Sequence, residues 1–112
     1  TIAEAYGGTA EVSISESTDI TFNDPDLVAQ MLPSMEKALG KENVLPTKAT
    51  TGAEDFSYFS REVPGFYFFL GGMTPGNETP FPHHTPDFFI DEDGLIHGVK
   101  VLTQMSIDYL NQ

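Results

Sequence analysis

Two adjacent histidines, His83 and His84, are the side chains of this sequence whose type and setting point most directly to metal chemistry. Proline precedes the pair at Pro82 and follows it at Pro86, and both prolines restrict the backbone of the segment. Imidazole is the commonest protein ligand of zinc-like ions, and a rigid loop suits such a ligand. A metal site needs further ligands from elsewhere, however, and an exposed histidine pair without a metal is an equally open interpretation.

A second candidate site is the segment 51–55, with the sequence Thr-Gly-Ala-Glu-Asp. The spacing of Thr51 and Glu54 predicts a capping box, with Thr51 as the N-cap of a helix and Glu54 reaching back to it. Free backbone N–H groups at such a helix start, opened by Gly52, can also bind a carboxylate. Capping and ligand binding are compatible. A catalytic acid–base role for Glu54 and Asp55 is disfavoured, because adjacent side chains seldom point into one site.

Other polar features of the sequence are interpreted structurally. The acidic run 91–93 precedes a helical pattern, where negative charge suits the helix dipole, and it lacks the spaced ligands of an EF-hand. His97 lies within that helical pattern and is expected at the surface. The sequence contains no serine–histidine–aspartate order, no phosphate loop and no dinucleotide fingerprint.

Length and composition limit the classes of protein to consider. The 112 residues are enough for one small domain, and a net charge of −12 argues against nucleic acid and anionic membranes as partners. There is no cysteine, and therefore no disulfide or thiolate zinc site. No run of about 18 apolar residues is present. A soluble protein is expected, and the compartment, cytoplasmic or periplasmic, stays open. The chain begins without methionine, in what looks like the tail of a helix, which indicates a fragment.

The elements that must position these residues follow from periodicity and punctuation. Four helical segments are predicted: a helix end at 1–6 stopped by Gly7-Gly8, a helix from Asn23-Asp24-Pro25 to Gly40 with a kink or break at Pro33, a short helix from 51 to about 63, and a closing helix with Leu95, Val99, Leu102, Met105, Ser106 and Tyr109 on one face. Three strands are predicted: a half-buried strand at 9–22, a short one at 44–45, and one buried on both faces at 66–70.

Five motifs in order resemble the C-terminal part of an M20-type metallo-amidohydrolase, in the branch of the N-acyl-amino-acid, hippurate and auxin-conjugate amidohydrolases. They are Asn23-Asp24-Pro25, the segment 51–57, the segment 64–71, His84-Thr85-Pro86-Asp87-Phe88, and the segment 91–95. The resemblance covers essentially the whole chain, but only about the last quarter to third of such an enzyme.

The resemblance implies an α/β fold. Residues 1–22 would end an α/β lid domain that also serves dimerisation, and residues 23–112 would form the C-terminal part of a zinc-peptidase-like catalytic domain, a sheet flanked by helices. A homodimer through the lid is expected, with the strand near Val12 and Ile14 at the subunit contact.

The resemblance also implies the chemistry. The family uses two metal ions, commonly zinc or manganese, and a glutamate base to hydrolyse an amide bond, here of a small N-acyl amino acid. By position, His84 is the family's last metal ligand and His83 orients the loop. Gly52 and Ala53 would offer backbone groups to the substrate's carboxylate. Glu54 would cap the helix, and Asp55 would support these residues without contacting the substrate itself.

The remaining family ligands and the paired glutamates belong to the N-terminal part, and the sequence contains none of them. No catalytic residue is therefore assigned, and the chain alone is expected to be inactive without that missing N-terminal part. Two alternatives stay open: an acidic binding or regulatory module that captures a carboxylate at Gly52, and a degenerate homologue without metals. Loss of amidase activity in a full-length His84→Ala variant would separate the first interpretation from both.

Overall fold

Four α-helices joined by irregular segments make up the described part of the chain. The structure, a computed structural model, describes residues 2–15, 18–77, 79 and 81–112. The helices are α1 (Ile2–Ala5), α2 (Pro25–Leu39), α3 (Phe56–Glu62) and α4 (Leu95–Leu110), and two short 3₁₀-helices lie at Lys41–Asn43 and Glu92–Gly94. Within these ranges there is no β-strand, and no helix is long and apolar enough to cross a membrane.

The predicted α/β class, a sheet flanked by helices, is therefore wrong for the described residues. The segments 9–22, 44–45 and 66–70 have no paired strand, although Glu16 and Ser17 of the first lie outside the described residues. A strand requires a ladder of backbone hydrogen bonds to a neighbour, and side-chain alternation does not provide one. Burial on both faces is also wrong at the end of 66–70, because Phe69 is 62% exposed and Leu70 is 41% exposed.

The start and end of α2 agree with the prediction. Asp24 is the N-cap, its side chain accepts a hydrogen bond from the Leu27 N–H at 2.8 Å, and Pro25 is the first helical residue. The helix ends at Gly40, whose φ of 85° favours glycine. The alternative of a break at Pro33 is wrong, because α2 continues through it. A proline removes one helical hydrogen bond, and packing against α4 stabilises the helix around that gap.

The core of the described chain lies between α2 and α4. Met31 and Met35 of α2 are buried, and Val101 of α4 is completely buried. At the edge of this contact the Gln104 side chain donates a 2.8 Å hydrogen bond to Asp108. This bond lowers the pKa of the Asp108 carboxyl most, and a hydrogen bond from the Ser34 hydroxyl of α2 lowers it further. The two helices are therefore joined by a small apolar centre and a polar rim.

The face predicted for α4 is not the face that packs on α2. Leu95, Val99 and Leu102 are 50%, 60% and 58% exposed, whereas Val101 is fully buried. Val101 shares its face with Gln104 and Asp108, whereas the predicted face is more apolar, so the sequence pattern favoured the wrong face. Leu102 instead borders an apolar groove beside Phe66 and Phe68.

The segment 65–72 links the helical pair to the two candidate segments. Its beginning is tied to the start of α2, because the Asp24 N–H donates to the Gly65 carbonyl at 2.9 Å. Its end approaches α4 closely, since a Cβ added at Gly98 would lie 2.9 Å from Leu70 Cδ2. The Asp91 N–H then donates to the Gly72 carbonyl at 2.7 Å and closes the base of the histidine loop.

Candidate functional site

One cavity lies between the two segments that the sequence singles out. Its volume is about 670 Å³, within the range of roughly 300–1,000 Å³ that small-molecule sites occupy. The walls come from Thr21, from most of the segment 47–54, from the rings of Tyr67 and Phe69, and from His83 and His84. Gly52, Ala53, Glu54 and His84 thus line the same cavity, whereas Asp55 does not.

His84 stands out in the histidine loop by its backbone conformation. Its φ is 65°, in the left-handed region that residues other than glycine seldom adopt, at a cost of about 1–2 kcal/mol. The turn around it is fixed by the Thr85 hydroxyl, which donates to the Pro82 carbonyl at 2.8 Å, and by the Phe88 N–H, which donates to the Thr85 carbonyl at 3.1 Å. Strain of this kind tends to occur where function requires it.

His83 and His97 have different surroundings from His84. The His83 ring lies 4.6 Å from the Phe88 ring, centroid to centroid, so this imidazole is packed on an aromatic side chain. His97 lies on α4, is exposed as expected, and is not among the cavity residues. In the described ranges no group of three or more His, Asp and Glu side chains could hold a metal ion. The described residues therefore do not form a complete metal centre by themselves.

The predicted capping box at Thr51 and Glu54 is wrong. Helix α3 begins at Phe56, with Asp55 at the N-cap position and no capping bond from the Asp55 side chain. The Glu54 carboxylate instead accepts from the Phe56 N–H at 3.2 Å. Gly52 has poor helix propensity, and Glu54 finds a partner outside the helix, which explains the late start. The N–H groups of Gly52 and Ala53 thus belong to a loop, and no helix dipole supports them.

Tyr67 is the partner of Glu54 and was missed in the sequence. Its hydroxyl donates a 2.9 Å hydrogen bond to Glu54 Oε2, and its ring lies 5.3 Å from the Phe56 ring and 5.5 Å from the Phe69 ring. The Asn23 side chain holds its backbone with two 2.7 Å hydrogen bonds, one to the Tyr67 carbonyl and one from the Tyr67 N–H. The one hydroxyl in the otherwise apolar run 66–70 was the available signal.

The pKa values of this pair move apart. The hydrogen bond from the Phe56 N–H lowers the pKa of the Glu54 carboxyl most, and the bond from the Tyr67 hydroxyl lowers it further. The same bond to Glu54 raises the pKa of the Tyr67 hydroxyl. A lowered carboxyl pKa stabilises the fold above the ordinary carboxyl pKa, and this stabilisation is lost as the pH falls through the lowered value. At neutral pH Glu54 is therefore an ionised, doubly hydrogen-bonded carboxylate in the cavity wall.

Replacing Tyr67 with phenylalanine is expected to raise the pKa of the Glu54 carboxyl toward its ordinary value, because one of its two main hydrogen bonds is lost. An NMR titration that follows the Glu54 carboxyl carbon measures this change. Tyr109→Phe, on α4, serves as the matched control and is expected to leave the titration unchanged. An unaltered Glu54 pKa in Tyr67→Phe would show that the hydroxyl does not stabilise the carboxylate.

Comparison with protein families gives a match to the model described as peptidase family M20/M25/M40, which aligns with residues 4–108. Among curated proteins, thermostable carboxypeptidase 2 of Saccharolobus solfataricus is 33% identical over 99% of this chain and 28% of its own length. IAA-amino acid hydrolase ILR1-like 2 of Arabidopsis thaliana is 34% identical over 82% of this chain and 21% of its length. An N-acetyldiaminopimelate deacetylase of a Geobacillus species is 30% identical over 90% of this chain and 25% of its length.

The chain spans about a quarter of the length of the curated relatives it matches. No solved structure matches it significantly.

Proposed function

This chain belongs to peptidase family M20/M25/M40, and on that premise we propose that it is the C-terminal part of a metal-dependent amidohydrolase. The family consists of hydrolases that generally depend on metal ions, and its named relatives include an IAA-amino acid hydrolase and an N-acetyldiaminopimelate deacetylase. The proposed reaction is hydrolysis of the amide bond of an N-acyl amino acid or a related small conjugate. The main support is the cavity that brings His84 together with Gly52, Ala53 and Glu54.

In this proposal the chain contributes one metal ligand and part of the substrate pocket. His84 offers its imidazole at the cavity wall, and the turn from Pro82 to Thr85 fixes its direction. When bound, two divalent ions, zinc or manganese, would supply Lewis acidity and an activated water. The remaining ligands and the general base would come from other parts of the hydrolase, because the described residues hold no group of three ligands.

The substrate's carboxylate is assigned to the loop at Gly52 and Ala53. Glycine leaves the backbone N–H groups accessible, and a Cβ added at Gly52 would meet no atom within 4 Å. Glu54 forms part of the wall through its bond to Tyr67. Asp55 is outside the cavity lining, so it would support the lining residues and would not contact the substrate directly.

Two macromolecular contacts are part of the proposal. Residues 23–112 would belong to the metallo-catalytic domain and pack against its N-terminal part. Residues 1–22 would end the lid domain and contribute to a homodimer. Tyr6, Val12 and Ile14 support the second contact, because they are 90%, 78% and 86% exposed and exposed apolar groups favour burial in an interface.

The proposed reaction is tested with the full-length protein and a panel of N-acyl amino acids. Release of the free amino acid is expected, and dialysis against a chelator is expected to abolish it by removing the metal ions. Activity should return when zinc or manganese is added back, and a mock-dialysed sample is the control. Hydrolysis that survives complete metal removal, or no hydrolysis of any N-acyl amino acid by metal-loaded protein, would contradict the proposal.

A further inference from the structure

Lys48 is an unusual residue for this chain and this cavity. The sequence has 5 Lys and Arg residues against 17 Asp and Glu residues. Lys37 and Arg61 lie 3.7 and 3.6 Å from carboxylates, at Asp108 and Asp19. Lys48 lines the cavity, and no carboxylate of the described residues forms an ion pair with it.

Glu54, the acidic residue among the described residues of the cavity lining, already has two hydrogen-bond partners. One Glu54 oxygen accepts from the Phe56 N–H at 3.2 Å, and the other accepts from the Tyr67 hydroxyl at 2.9 Å. These bonds hold the Glu54 carboxylate on the side of α3 and of Tyr67. No second Asp or Glu is found among the described lining residues. Lys48 therefore lies at the wall of a cavity in which the Glu54 carboxylate is already hydrogen-bonded to other groups.

The remaining walls add polar donors and no negative charge. They contain threonine hydroxyls, the imidazoles of His83 and His84, and the small residues Gly52 and Ala53. A surface with a net charge of −12 repels anions at long range. An anionic ligand thus needs a nearby cation to be favoured in this cavity, and Lys48 provides one.

We propose that Lys48 is a specificity-determining residue that selects substrates with a free carboxylate by forming an ion pair with that group. This inference rests on the proposed function and names the charged group that the same cavity recognises. The loop N–H groups would orient the carboxylate by directional hydrogen bonds, and the ammonium group of Lys48 would distinguish it from a neutral amide of the same shape.

Hippurate and hippuramide test this selection, because they share the benzoyl-glycyl skeleton and differ in the charge of one end. Binding of each to the full-length protein is measured by calorimetry. Lys48→Met is expected to weaken hippurate binding about fivefold, the upper range for an exposed ion pair, and to change hippuramide binding less than about twofold. Lys48→Arg should keep the preference for hippurate. Lys100→Met, which removes an exposed charge on α4 outside the cavity lining, is the matched control.

The inference is overturned if Lys48→Met binds hippurate as the native protein does, if it loses both ligands equally, or if the native protein does not bind hippurate. Hydrolysis is followed separately, by the glycine released. A protein that binds hippurate with a Lys48-dependent preference but does not cleave it would refute the proposed reaction and support the role of Lys48. Cleavage of hippurate with no effect of Lys48→Met on the binding of either ligand would support the proposed reaction and refute the role of Lys48.

Discussion

Replacing His84 with alanine is expected to lower the amidase activity of the full-length protein more than about a hundredfold, because even the partners that orient metal ligands are worth about 10–100-fold. The protein should also bind less metal, measured by elemental analysis after gel filtration. Both effects follow from the proposed role of His84 as a metal ligand at the wall of the cavity. The two readouts together separate loss of a ligand from loss of the fold.

Two matched variants make the His84 result specific. His84→Asn removes the imidazole but keeps a side chain that tolerates the left-handed backbone, whose φ is 65° at this position. It should be as inactive as His84→Ala if the imidazole matters, and close to native if only the turn matters. His97→Ala changes an exposed histidine of α4 and should remain active. Full activity and full metal content in His84→Ala would refute the assignment.

The 112-residue chain produced alone is expected to associate or aggregate and to unfold without a cooperative transition. Its accessible surface is 9487 Å², whereas a compact protein of this mass exposes about 6,100 Å². The difference of about 3,400 Å² exceeds the roughly 800 Å² that one partner contributes to a standard interface. The radius of gyration agrees, at 19.7 Å against about 13 Å for a compact chain.

Sedimentation, dye binding and thermal unfolding of the isolated chain measure this property. The native sequence should sediment as a mixture of oligomers and bind a hydrophobic dye strongly. A variant with Val99→Lys and Leu102→Lys, on the exposed apolar face of α4, should associate less, because both side chains are more than half exposed. The pair Thr103→Lys and Asn111→Lys adds the same charge at exposed polar positions outside the apolar groove and is the control. A monomer that unfolds cooperatively would contradict the prediction.

Local signals predicted the helices well and the strands badly. The caps of α2 at Asp24, Pro25 and Gly40 use contacts within a few residues of one another, so the sequence contains the whole cause. A strand depends on a distant partner. In the described chain the backbone of 66–70 forms no ladder, although its apolar pattern suits one. The packed face of α4 was predicted wrongly for a similar reason, because the most apolar face of this helix is not the one that contacts α2.

The cavity was predictable in part. The motifs around Gly52 and His84 pointed to two of its walls through resemblance to a family, without any geometry. Tyr67 and Lys48 could not be found in that way. The role of Tyr67 depends on its bond to Glu54, 13 residues away in the sequence. The role of Lys48 depends on its place in the cavity wall. The motif also gave no indication that Glu54 would bond outside its own turn.

The side chain of Asn23 has a mechanical consequence. Its amide imitates a backbone peptide group, giving Tyr67 both an acceptor and a donor at 2.7 Å, and the next residue is the cap of α2. Through Tyr67, this link reaches Glu54. A displacement of the start of α2 would therefore move the Tyr67 backbone through Asn23, and would move the Glu54 carboxylate in the cavity wall through the Tyr67 hydroxyl.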